Sequence, residues 1–144
     1  TISITQLKTL FKKSSDIKFE MYQFGQQKVH FIVCEAMINQ QLLYEVAVPR
    51  VKMICKRMDK ELDEQKILNE LYIPQLQKVT DEQVAITLIF QGFLLIFFEE
   101  NGLLLASNIE SKPNRSPEES NLEVTVKGPR DILMILQIKK YYSN

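Results

Sequence analysis

The chain has 144 residues, 45% of them hydrophobic and 25% charged, with 18 basic side chains balanced by 18 acidic ones. This profile fits one globular domain and excludes collagen-like, mucin-like and wholly disordered chains; burial of roughly 68% of the unfolded surface gives a chain of this size a core without disulfide or metal staples. A net charge of zero supplies no field for phosphate backbones or anionic lipid, which argues against a nucleic-acid partner.

Cys34 and Cys55 are too few for a secreted disulfide framework and too far apart for a C-x-x-C pair, so a reducing compartment is expected. The opening stretch Thr1 to Lys8 lacks the basic start and apolar segment of a signal peptide. The most apolar run, Val84 to Phe98, is shorter than the roughly 18 residues that span a bilayer and is interrupted by Gln91-Gly92, so the expectation is a soluble chain with no membrane span.

In chain order, Leu7, Leu10 and Phe11 predict a short amphipathic helix over Thr5–Lys13. Ile17 to Phe24 alternates like a half-buried strand, and Val29 to Met37 carries the β-favouring block His30-Phe31-Ile32-Val33-Cys34. With the Gly25-Gln26-Gln27-Lys28 connection the two predict an antiparallel hairpin. After the capping type Asn39, helical spacing (Leu42, Leu43, Val46) resumes beyond Pro49 (Val51, Ile54, Cys55, Met58). Pro49 should therefore open a second helical piece, because its ring and missing N–H cost about 3 kcal/mol in a helix interior. Ile67, Leu68 and Leu71 continue the pattern to Pro74, and this middle third is expected to be helical and mostly solvent-facing.

Thr80-Asp81-Glu82-Gln83 predicts a capping box from Thr80, with Val79 and Val84 as a hydrophobic staple, opening a helix over Asp81–Gln91 that packs on a sheet and ends at Gly92. Phe93 to Phe98, the pair Asn101-Gly102 and Leu103 to Ile109 predict a second hairpin with a tight type I′ turn. Ser111 to Asn121 is polar and Pro-containing, as a linker would be. Leu122 to Val126 alternates like a strand. The stretch Asp131 to Asn144, with Ile132, Leu133, Ile135, Leu136 and Ile138, is ambiguous between helix and strand. The expected fold is α+β: a small mixed or antiparallel sheet of two hairpins packed against helices (1–110), a linker strand (111–130) and an apolar and basic tail (131–144).

Catalytic apparatus is not legible. His30 is the one histidine and sits among strand-forming residues; no serine or cysteine lies in a nucleophile elbow, and no glycine pattern cradles phosphate. The histidine, two dispersed cysteines and solvated carboxylates lack the spacing of a metal site. The cysteines read as small buried hydrophobes and Glu99-Glu100 as solubilising turn residues. No enzyme and no cofactor is expected.

Arg115 to Arg130, reading R-S-P-E-E-S-N-L-E-V-T-V-K-G-P-R, combines two arginines able to fork onto carboxylates with the acceptors Glu118, Glu119 and Glu123. It resembles the R-S-x-x-E-P-x-x-E-x-x-V-x-G-P-R/K signature of the A subunits of bacterial spore germinant receptors, the GerA family. Arg115, Ser116, Glu119, Glu123, Val126, Gly128, Pro129 and Arg130 fall in register without a gap. Ser120 stands where the family has proline, and the Gly-Phe-x-Glu expected after Arg130 is replaced by Asp131-Ile132-Leu133-Met134. A looser likeness runs back to Ser14.

The resemblance implies a non-catalytic first subdomain of a nutrient receptor that works with B and C subunits, and with a small nutrient germinant, at the spore inner membrane, its soluble part facing the core. On that reading Arg115, Ser116, Glu119, Glu123, Gly128, Pro129 and Arg130 fix the orientation of one soluble half against the next. An alternative is a stand-alone interaction domain that modulates receptor assembly, using Ile132 to Ile138 to dock.

Overall fold

A computed structural model describes residues 2–58 and 61–112. The elements are α1 (Ile4–Leu10), β1 (Ile17–Phe24), β2 (Gln27–Cys34), a 3₁₀ turn (Glu35–Met37), α2 (Gln40–Leu42), a π turn (Leu43–Ala47), α3 (Val48–Arg57), α4 (Glu64–Glu70), β3 (Gln77–Lys78), α5 (Glu82–Ile89), β4 (Phe93–Phe98) and β5 (Leu103–Asn108). The five strands form one antiparallel sheet in the order β1-β2-β4-β5-β3, which is the α+β architecture expected from sequence.

Strand alternation divides the sheet into two faces. One face carries Ile32 and Cys34 from β2, Phe93, Leu95 and Phe97 from β4 and Leu104 and Ala106 from β5, in one core with Leu7 of α1 and Ala85 and Ile89 of α5. The other face carries Val29, Phe31, Leu94, Ile96, Phe98 and Leu105, all buried, and α3 packs alongside β1 with Val51, Ile54 and Cys55 buried. On this side Tyr22, Phe24 and Phe31 form an aromatic group with ring centroids 5.4 to 6.4 Å apart. Every residue of β4 is buried, which explains an apolar run with no polar alternation.

Several expectations shift. The first helix starts earlier, where Ser3 and Gln6 form a reciprocal capping box: Gln6 N donates to Ser3 Oγ (3.1 Å) and Ser3 N to Gln6 Oε1 (2.8 Å). The first hairpin closes at Phe24↔Gln27, so its loop is only Gly25-Gln26, with φ +63° at Gly25 as a type II′ turn requires. β2 ends at Cys34. Pro49 stands in the first turn of α3 as expected. The π turn before it widens the spacing where the proline ring would otherwise meet the Glu45 carbonyl.

The middle third is not mostly solvent-facing: Leu42, Leu43, Ala47, Val48, Val51, Ile54, Cys55, Ile67 and Leu71 are buried, because a sheet covered on both sides needs this second helical layer. The cap of α5 is Asp81, whose carboxylate accepts from Gln83 N at 2.8 Å, and not Thr80. Val79 N donates to Leu104 O, which keeps the chain extended alongside β5 and delays the helix start. Val84 is 40% exposed and makes no staple with the buried Val79.

The second hairpin is not a two-residue type I′ turn. Its register, Phe98↔Leu103, leaves a loop of Glu99 to Gly102, closed by Gly102 N donating to Phe98 O at 2.9 Å. Glu99 N is instead engaged by Lys28 O at 3.0 Å, so β4 follows β2 one residue further than it follows β5.

Candidate functional site

The signature residues Arg115, Ser116, Glu119, Glu123, Gly128, Pro129 and Arg130, with the predicted strand 122–126 and the tail 131–144, lie outside the described residues. The structure does define how the chain is held just before them. At the end of β5, Asn108 N donates to Pro74 O (3.0 Å) and Ile109 N to Gly92 O (3.2 Å). Asn39 N donates to Ile109 O (2.8 Å), Glu110 N to Asn108 Oδ1 (3.0 Å) and Ser111 N to Met37 O (2.8 Å). Ile38 and Glu110 form an antiparallel bridge.

Residues 108–111 are thus clamped by three separate connections: the one after α4, the α5–β4 turn and the 3₁₀ segment after β2. Gly92 makes the close approach possible. Its φ is +93°, and a Cβ there would lie 2.7 Å from Glu110 Cβ and 2.9 Å from Glu110 Cα. The α5–β4 turn can pass over the exit segment only without a side chain.

Two polar groups stand out elsewhere. His30, 6% exposed, points from β2 to the α1/α5 face, where its Nε2 lies 2.7 Å from Glu99 Oε1. The hydrogen bond to the imidazole holds the Glu99 carboxyl below the usual range, helped by the charges of Lys28 and Lys8. Glu99 is therefore not a plain solubilising turn residue, as expected from sequence, but ties the β4–β5 loop to β2. On the other face, Glu20 accepts from Tyr44 Oη at 2.7 Å and pairs with Lys18 at 3.4 Å. Burial and that bond push the Tyr44 phenol up to about 12.

Both cysteines are free and buried; burial pushes the Cys55 thiol up to about 11 and raises Cys34 too, so neither is a ready thiolate. A surface cavity of about 250 Å³ lies where Lys78 pairs with Glu64, walled by Thr80, Asn101 and Leu104. Its two charged groups face each other and hold no nucleophile between them. Among the described residues no three His, Cys, Asp or Glu side chains group to hold a metal ion, and no helix is long and apolar enough to cross a membrane.

Residues 5–134 match the model of the Bacillus/Clostridium GerA spore germination protein family, and the chain belongs to that family. Among solved structures it is similar to the N-terminal domain of the A subunit of the Bacillus megaterium spore germinant receptor GerK3, at 19% identity and a TM-score of 0.46, covering 78% of this chain and 93% of that one. No curated protein matches it.

Proposed function

We propose that this chain is a non-catalytic soluble subdomain of a spore germinant receptor A subunit, acting in receptor assembly or in relaying a nutrient signal. The observation that carries the reading is family membership over residues 5–134, a span that contains the whole Arg115 to Arg130 signature in register. The exit clamp supports it: a module that relays orientation has to fix where its connecting segment begins, and here residues 108–111 are fixed by backbone bonds to three connections. Arg115 and Arg130, as forks for carboxylates, then set the geometry of the next half of the receptor, and a nutrient that favours one geometry shifts the population toward it. On this reading the partners are the receptor's B and C subunits and the location is the spore inner membrane, the soluble part facing the core.

The test is replacement of Arg115 or Arg130 by Ala in a full-length receptor, with spore germination rate and receptor level read together. Impaired germination or a reduced receptor level is expected. Unchanged germination at an unchanged level overturns the reading, as does an immunoblot that finds the polypeptide only as a soluble spore-core species.

A further inference from the structure

The two edges of the sheet differ. β3 is two residues long, too short to template a partner, whereas β1 runs eight residues with an unbroken register against β2, without proline or bulge. The two-residue hairpin makes Phe24↔Gln27 a hydrogen-bonded pair, and Glu35 N donating to Asp16 O at the far end agrees with that phase. The even-numbered residues of β1 therefore bond β2, and the backbone groups of Ile17, Phe19, Met21 and Gln23 point outward. No backbone bond to Phe19 or Met21 occurs on that side among the described residues.

The side chains along this edge are self-complementary about Phe19. Lys18 and Glu20 flank it on one face, while Ile17 and Met21 flank it on the other, with Met21 53% exposed. We propose that β1 pairs with β1 of a second copy, antiparallel about a two-fold axis through Phe19. In that register Lys18 of each copy lies opposite Glu20 of the other, and Ile17 lies opposite Met21. The Phe19 N–H of each copy bonds the other's Phe19 C=O, and the Met21 N–H bonds the other's Ile17 C=O. Alternative two-fold registers are worse: an axis at Lys18 or Glu20 sets like charges face to face, and an axis at Met21 sets Lys18 opposite Phe24. Lys18 and Glu20 already lie 3.4 Å apart within one copy and keep their charges, so pairing adds partners without first stripping them of one. The proposal rests on the strand's own chemistry and does not depend on the receptor reading.

A five-residue overlap buries less than a standard interface of about 1,200 to 2,000 Å², so a weak dimer is expected, with a dissociation constant on the order of 100 µM. Sedimentation velocity of the full chain between about 10 µM and 1 mM tests it. K18E or E20K alone should weaken dimerisation about tenfold by turning two cross-strand attractions into repulsions, and K18E/E20K together should restore it. Register is read separately: a mixture of the Lys18→Cys and Glu20→Cys chains should oxidise to a cross-linked heterodimer, whereas neither alone should cross-link. A chain that stays monomeric to 1 mM, or a dimer indifferent to both single charge reversals, overturns the proposal.

Discussion

Gly92→Ala is the most severe small change the described structure defines. The added Cβ meets Glu110 at 2.7 Å, and Glu110 cannot retreat freely because it is bridged to Ile38 while Ser111 N is bonded to Met37 O. An L-residue at φ +93° costs about 1 to 3 kcal/mol, and forcing a packed segment aside costs about another 1 to 3 kcal/mol. Alanine's stiffer unfolded chain returns about 0.4 to 1 kcal/mol, leaving a net loss of about 2 to 5 kcal/mol. At roughly 4 to 8 °C per kcal/mol for a domain of this size, the melting temperature should fall by about 10 to 25 °C. Gly25→Ala is the control. That residue also has positive φ, but no atom lies within 4 Å of its Cβ position, so only the backbone cost applies and the fall should be about half as large or less. Thermal unfolding followed by circular dichroism gives both numbers, and amide exchange at Ser111 and Asn39 reports whether the clamp opens. Equal melting of the two variants, or intact protection of both amides in Gly92→Ala, would refute the argument that the glycine serves the exit segment.

Three other outcomes rest on single residues. The Glu99 carboxyl sits below its unfolded value, so its contribution to stability is complete above about pH 4.3 and disappears as the pH falls through the lower folded value; Glu99→Gln should flatten that part of a pH–melting curve. Tyr44, with its phenol pushed up to about 12, should appear in ultraviolet titration as a tyrosine ionising well above the ordinary value near 10, and Tyr44→Phe should remove that late step. Ile96→Ala, at a side chain with no exposed surface in the central strand, should cost about 2 to 5 kcal/mol in denaturant unfolding.

Features written in consecutive residues were legible in the sequence. The alternation of Ile17 to Phe24, the unbroken apolar run Phe93 to Phe98 and the position of Pro49 each led to the right element because period, burial and ring geometry act locally. The errors fall where two adjacent residues compete or a distant partner decides. Thr80 and Asp81 are both capping types, and the bond from Val79 to Leu104 O selects the second. Asn101-Gly102 favours a tight turn, but Glu99 is drawn to β2, 69 positions away from its partner His30, and the loop lengthens. No periodicity contains that pairing, since it exists only once β2 and β4 are neighbours. The lone histidine next to a sheet hairpin was the one available hint, because a buried imidazole needs a hydrogen-bond partner.

The same distinction explains why the exit clamp carries almost no sequence signal while the segment after it carries a strong one. Residues 108–111 are fixed mainly through backbone amides and carbonyls, groups that nearly every residue type supplies. Position there constrains side chains at few points, chiefly the absence of a Cβ at Gly92 and the side-chain carbonyl oxygen of Asn108 that accepts from Glu110 N. Forked recognition of carboxylates, by contrast, can be done only by a guanidinium, so a segment that works through Arg115 and Arg130 has to display its chemistry in the sequence itself. A rigid module whose last residues are set by main-chain bonds, followed by a segment specified by side chains, separates the holding of a position from the reading of it. For a protein of the GerA family that division locates the informative mutations: at Gly92 for the geometry of the exit, and at the two arginines for what the exit is connected to.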